Sequence, residues 1–64
     1  MGALFRFIAW VAANINRWGA AVARHYNRIV AWINANAQRV LAWINGGIAF
    51  GTILEWILRI LGIG

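Results

Sequence analysis

Hydrophobic and polar positions along this chain repeat one short word, Arg-apolar-apolar-x-Trp-apolar. Its fullest form is Arg39-Val40-Leu41-Ala42-Trp43-Ile44-Asn45, and Arg28-Ile29-Val30-Ala31-Trp32-Ile33-Asn34 is the same word eleven residues earlier. Arg6-Phe7-Ile8-Ala9-Trp10-Val11 is a third copy, and Thr52-Ile53-Leu54-Glu55-Trp56-Ile57 a fourth with the arginine replaced. The spacing is helical. Leu4, Ile8, Val11 and Ile15 recur every three or four residues and predict a helix over 3–16, with Arg6, Trp10, Ala13 and Arg17 opposite. Its end falls at Asn14, Asn16 or Gly19, since Asn competes for backbone hydrogen bonds and Gly favours a helix end. Val22, Tyr26, Ile29 and Ile33 predict a second helix over 20–33. On a continuous helix Arg17, Arg24 and Arg28 would lie within about 40° of one another, on its other side.

Asn34-Ala35-Asn36 predicts a turn, with Asn36 capping a third helix over 37–45 by accepting a backbone N–H. Ala37, Val40, Leu41 and Ile44 face inward there, and Gly46-Gly47 ends it. A fourth helix is expected over 52–61, with Thr52 and Glu55 at capping-box spacing and Glu55 beside Arg59. Its inward positions are Ile53, Ile57, Ile60 and Leu61. Short connections fold neighbouring helices back on one another. The expected architecture is an all-α, compact four-helix globule forming a single domain over 1–64.

Composition changes the picture by excess. The hydrophobic fraction is 64%, against about half in soluble domains. A chain of 64 residues builds only a marginal core, so part of that apolar surface is expected to meet lipid or a partner. There is no Cys, hence no disulfide. No cleavable signal is visible. The longest stretch without charge, Val40 to Leu54, is interrupted by Asn45, Gly46, Gly47 and Gly51, so a single transmembrane helix is not expected.

Charge narrows the partner. Six basic residues against one acidic give +5, and all six are arginine: Arg6, Arg17, Arg24, Arg28, Arg39 and Arg59. Such a balance favours anionic surfaces. A nucleic-acid binder of this size would spend more cations on phosphates, so no nucleic acid is expected and a membrane surface is.

Trp10, Trp32 and Trp43 each follow an arginine by four residues, and Trp56 lies beside Glu55 and Arg59. Indole over guanidinium at the core edge would contribute about 0.5–1 kcal/mol. The alternative is interfacial anchoring by Trp10, Trp18, Trp32, Trp43 and Trp56, with rings at the headgroup boundary and arginine forks on phosphate. Trp43, just before a glycine break, is then expected to lie outside the packed centre, so that Trp43→Ala costs under about 1 kcal/mol of stability.

Catalysis is not expected. One His (His25), one Glu, no Asp, no Cys and no Ser assemble neither a nucleophile–base pair nor a metal site. His25 reads as a wet polar residue, and no cofactor is implied.

Trp43-Ile44-Asn45-Gly46-Gly47, Leu54-Glu55-Trp56-Ile57 and Ile60-Leu61-Gly62-Ile63, with Trp18-Gly19 upstream, resemble leaderless bacteriocins of the aureocin and lacticin type. The likeness covers about 16–64 and is most specific from Val40 onward. It implies a saposin-like globule, synthesised without a leader and retaining Met1, that is secreted and kills Gram-positive bacteria by permeabilising their anionic phospholipid membrane. The family is Lys-rich and shorter, whereas this chain uses Arg alone. Circular bacteriocins are similar in size, charge and fold, and joining Met1 to Gly64 would lighten the intact mass by one water. A linear chain is expected, and self-association is compatible with it. The alternatives are a non-lytic membrane-associated protein and a small nucleic-acid-binding protein.

Overall fold

The structure, a computed structural model, describes residues 2–63. The first helix, α1 (Ala3–Asn14), is apolar nearly all round, and Phe7 and Val11 are the positions it buries fully. Ile15 extends that buried line at the head of a 3-10 turn, Ile15–Trp18. The Asn14 side-chain amide donates to the Trp10 carbonyl at 2.9 Å, the back-bonding that loosens a helix at such residues. Gly19 then takes a φ of 95°, a conformation strained for any side chain. The break is therefore graded: α-helix ends at Asn14 and helical winding at Trp18.

The helix expected over 20–33 is two helices, α2 (Ala20–Ala23) and α3 (Tyr26–Ala35). Between them the His25 N–H donates to the Val22 carbonyl at 2.9 Å, and the Ile29 N–H restarts the ladder on the His25 carbonyl at 3.0 Å. Neither Gly nor Pro marks this break. Val22 of α2 and Ile29 and Ile33 of α3 are all buried, so the expected apolar stripe persists across the break. Arg17, Arg24 and Arg28 sit on the 3-10 turn, in the break and on α3 respectively, and all three are exposed.

Asn36 alone separates α3 from α4 (Ala37–Asn45). Its side-chain amide donates backward to the Trp32 carbonyl at 3.0 Å and makes no cap on α4. The amide N–H is a second donor on a carbonyl that already accepts the Asn36 backbone N–H at 2.9 Å. At the far end of α4 the Ile48 N–H reaches the Trp43 carbonyl at 3.1 Å and the Gly47 N–H the Ile44 carbonyl at 3.1 Å, with Gly47 at φ 88°. The last helix, α5 (Phe50–Leu61), ends the same way. The Ile63 N–H meets the Leu58 carbonyl at 2.9 Å and the Gly62 N–H the Arg59 carbonyl at 3.2 Å, with Gly62 at φ 71°. This is the Schellman arrangement, in which a left-handed glycine turns the chain and an apolar residue returns to the core.

The start of α5 departs from expectation. Ala49 precedes it in extended conformation and accepts the Ile53 N–H at 3.0 Å, so Thr52 lies inside the first turn and caps nothing. Glu55 and Arg59 are both exposed.

The core is organised on α5, which buries Ile53, Leu54, Ile57 and Leu58 and contacts α1, α3 and α4. Val40 of α4 and Ile63 complete it. Several expected core positions are rotated outward. Leu4, Ile8, Ala37, Leu41, Ile44 and Leu61 are only half-buried, and Ile60 is 49% exposed. Leu54 and Leu58 take the places assigned to Ile60 and Leu61, because α5 presents a broad apolar face and is contacted from three directions. Among the described residues no polar side chain is buried and there is no strand. The radius of gyration is 10.7 Å, the value of about 10.7 Å expected for a compact chain of this length. The described residues thus form a compact all-α globule of five α-helices, not four. Joining of Met1 to Gly64 lies outside the described residues.

Candidate functional site

All six arginines are exposed. Five elements carry them: Arg6 on α1, Arg17 on the 3-10 turn, Arg28 on α3, Arg39 on α4, Arg59 on α5, with Arg24 in the α2–α3 break. Every element but α2 thus carries an exposed cation. Among the described residues Arg28 is the arginine with a long-range hydrogen bond: its Nη2 donates to the Leu61 carbonyl at 3.3 Å. Leu61 is the last residue of α5, so a cation sits where the helix dipole is negative and a carbonyl lacks an intrahelical partner.

The tryptophans do not stand out singly from the surface. All five are half-buried, and Trp10, Trp18, Trp32 and Trp43 pack on the core. They fall into two ring clusters. In the first, Trp10 meets Trp18 edge-on at 5.9 Å and Phe50 at 5.9 Å, while Phe50 also meets Phe7 at 5.2 Å. In the second, Trp43 stacks on Trp32 at 6.3 Å and 15°, and meets Trp56 edge-on at 5.1 Å. The partners of these indoles are aromatic rings from other elements, whereas the sequence pattern suggested each tryptophan's own arginine. Such ring pairs contribute about 0.5–1.5 kcal/mol each beyond area burial.

The clusters explain the repeated word more simply than anchoring does. An arginine one turn before a tryptophan marks the edge of a helix stripe: the indole lies at the border of the core, the guanidinium in water. α5 supplies one ring to each cluster, Phe50 at its start and Trp56 in its middle, and so ties α1 and the 3-10 turn at one end to α3 and α4 at the other.

His25, in the α2–α3 break, and Tyr26, opening α3, are half-buried. An open depression at the α3–α4 corner is lined by Asn34, Ala35, Asn36, Ala37, Gln38 and Arg39, but its Asn36 amide is already engaged with Trp32. Among the described residues no His, Cys, Asp or Glu group is placed to hold a metal ion, and no helix is long and apolar enough to cross a membrane.

Phe5 is the surface residue that sequence reasoning missed. It is 65% exposed and the one exposed aromatic ring among the described residues. Its signal was present in the sequence: Phe5, Ala9, Ala12 and Ala13 share one helical side without a polar partner among them.

Comparison with models of known protein families, with curated proteins and with solved structures finds no match to this chain. The resemblance to leaderless bacteriocins therefore rests on the residues quoted for it alone.

Proposed function

We propose that this protein is a secreted, non-catalytic antimicrobial peptide of bacteriocin type, with a saposin-like helical arrangement, that binds anionic bacterial membranes and permeabilises them. The observation that carries it is the combination of an entirely apolar core with six exposed guanidinium groups and a single exposed carboxylate. Among the described residues no buried polar side chain holds the helices in register, so their inner faces are as well served by acyl chains as by one another.

The mechanism has two steps. Exposed arginines first draw the globule to anionic headgroups, each worth about 1 kcal/mol near the surface and felt within about 8 Å at physiological salt. The helices then separate at the interface. The stripes Phe7/Val11/Ile15 and Ile53/Leu54/Ile57/Leu58 exchange the protein core for lipid, keeping their burial. At the headgroup level the indoles released from their clusters find the mixed environment they favour.

Release of a trapped dye from vesicles containing phosphatidylglycerol tests this. Leakage at micromolar protein, suppressed by salt and absent with purely zwitterionic lipid, is the expected result. Tight binding without leakage would mean a non-lytic membrane protein, and no binding at all would remove the membrane from the account.

A further inference from the structure

One helix face is apolar and uncovered. On α1 the exposed positions are Phe5, Arg6, Ala9, Ala12 and Ala13, all on the side away from Phe7 and Val11. Arg6 is the single polar side chain among them, whereas α3, α4 and α5 each turn several outward: Asn27, Arg28 and Asn34, then Gln38, Arg39 and Asn45, then Thr52, Glu55 and Arg59. A surface helix that is apolar on both sides has satisfied only one of them.

Charge says what covers the second side. Arg6 lies on this face and Arg17 just past its end, both exposed, while the chain's one acidic residue is on α5. A second copy would bring two such faces together at +5 each. An anionic bilayer accepts both the ring and the cations. The tryptophans compete poorly for this first contact, because their faces are engaged with other rings.

We propose that the outward face of α1 is the surface by which the folded globule docks on an anionic lipid bilayer. Phe5 enters the acyl boundary, and Arg6 and Arg17 take headgroup phosphate oxygens. The helix lies in the interface plane, as amphipathic surface helices do. This rests on the membrane-directed function above and adds which surface lands first, before any opening of the core.

The test is co-sedimentation with vesicles of equal parts phosphatidylcholine and phosphatidylglycerol. Phe5→Ser and Ala9→Glu are each expected to weaken partition roughly tenfold, the first by withdrawing the ring's apolar area from the bilayer, the second by placing a carboxylate against anionic headgroups. Thermal unfolding in buffer should stay near wild type for both, since both positions are exposed. Ile60→Ser, at the other exposed large side chain, should stay within about twofold of wild type. If Phe5→Ser and Ala9→Glu partition like wild type, or Ile60→Ser loses as much, the docking face is elsewhere and this inference fails while the membrane function stands. If the wild type itself does not sediment with the vesicles, the function fails and the docking face with it. A dimer in solution that Phe5→Ser dissociates, with partition unchanged, would give the face to a second copy and overturn the proposal.

Discussion

Trp43 shows how far a side chain's role depends on what other elements bring to it. On its own helix it borders the stripe of Val40, Leu41 and Ile44, which suggested a ring dispensable for folding. In the structure it is the middle ring of three, stacked on Trp32 and edge-on to Trp56. Trp43→Ala removes two ring pairs at about 0.5–1.5 kcal/mol each together with half-buried apolar area. We expect a loss of about 2–3 kcal/mol in chemical denaturation, well above the estimate from its own helix. Trp43→Phe should retain most of the stability. A cost under about 1 kcal/mol for Trp43→Ala would show that the cluster contributes little in solution. Membrane experiments at this position therefore need the Phe variant, since the Ala variant confounds binding with unfolding.

At the scale of elements, glycine does two different things in α5. Gly51 lies in the first turn, where an added Cβ would meet the Trp10 ring at 3.8 Å, an ordinary contact. Gly62 closes the helix at φ 71°, where a side chain is strained although nothing lies within 4 Å. The same substitution should have opposite signs at the two sites. Gly51→Ala is expected to stabilise by about 0.5–1 kcal/mol through helix propensity, and Gly62→Ala to destabilise by about 1–2 kcal/mol through the left-handed backbone. Thermal unfolding checks both. Two shifts of the same sign would mean that the Schellman turn is not held in solution. The turn matters beyond itself: it returns Ile63 to the core and leaves the Leu61 carbonyl to Arg28.

For the whole molecule the governing fact is a thin apolar core under a cationic shell. Opening such a globule exposes apolar stripes, which a bilayer can receive, and among the described residues strands no buried polar side chain. A disulfide engineered between α1 and α5 would hold the Phe7–Phe50 contact and prevent separation while leaving all six arginines and Phe5 outside. The stapled protein is expected to bind anionic vesicles like wild type and to release no dye until reduced. Leakage at the wild-type rate from the oxidised form would rule out opening as the permeabilising step.

The sequence by itself determined the helical class, because apolar residues recur at three and four and not in alternation. It also determined the ends of α4 and α5, since Gly46-Gly47-Ile48 and Leu61-Gly62-Ile63 carry their turn chemistry locally. Exposure of the arginines follows from the cost of burying charge without a partner. Tertiary structure decided the rest. On α1 the expected stripe gave Val11 and Ile15, which are buried, but Leu4, Phe7, Ile8 and Trp10 offered inward faces of similar apolarity, and only packing put Phe7 inside and left Leu4 and Ile8 half-buried. The break at Arg24-His25 has no local signal: the stripe of Val22, Ile29 and Ile33 runs through it and all three are buried. The indoles' partners lie on other helices, at separations no helical period records. A helix wheel fixes which residues share a side, and only the neighbours fix which side is in.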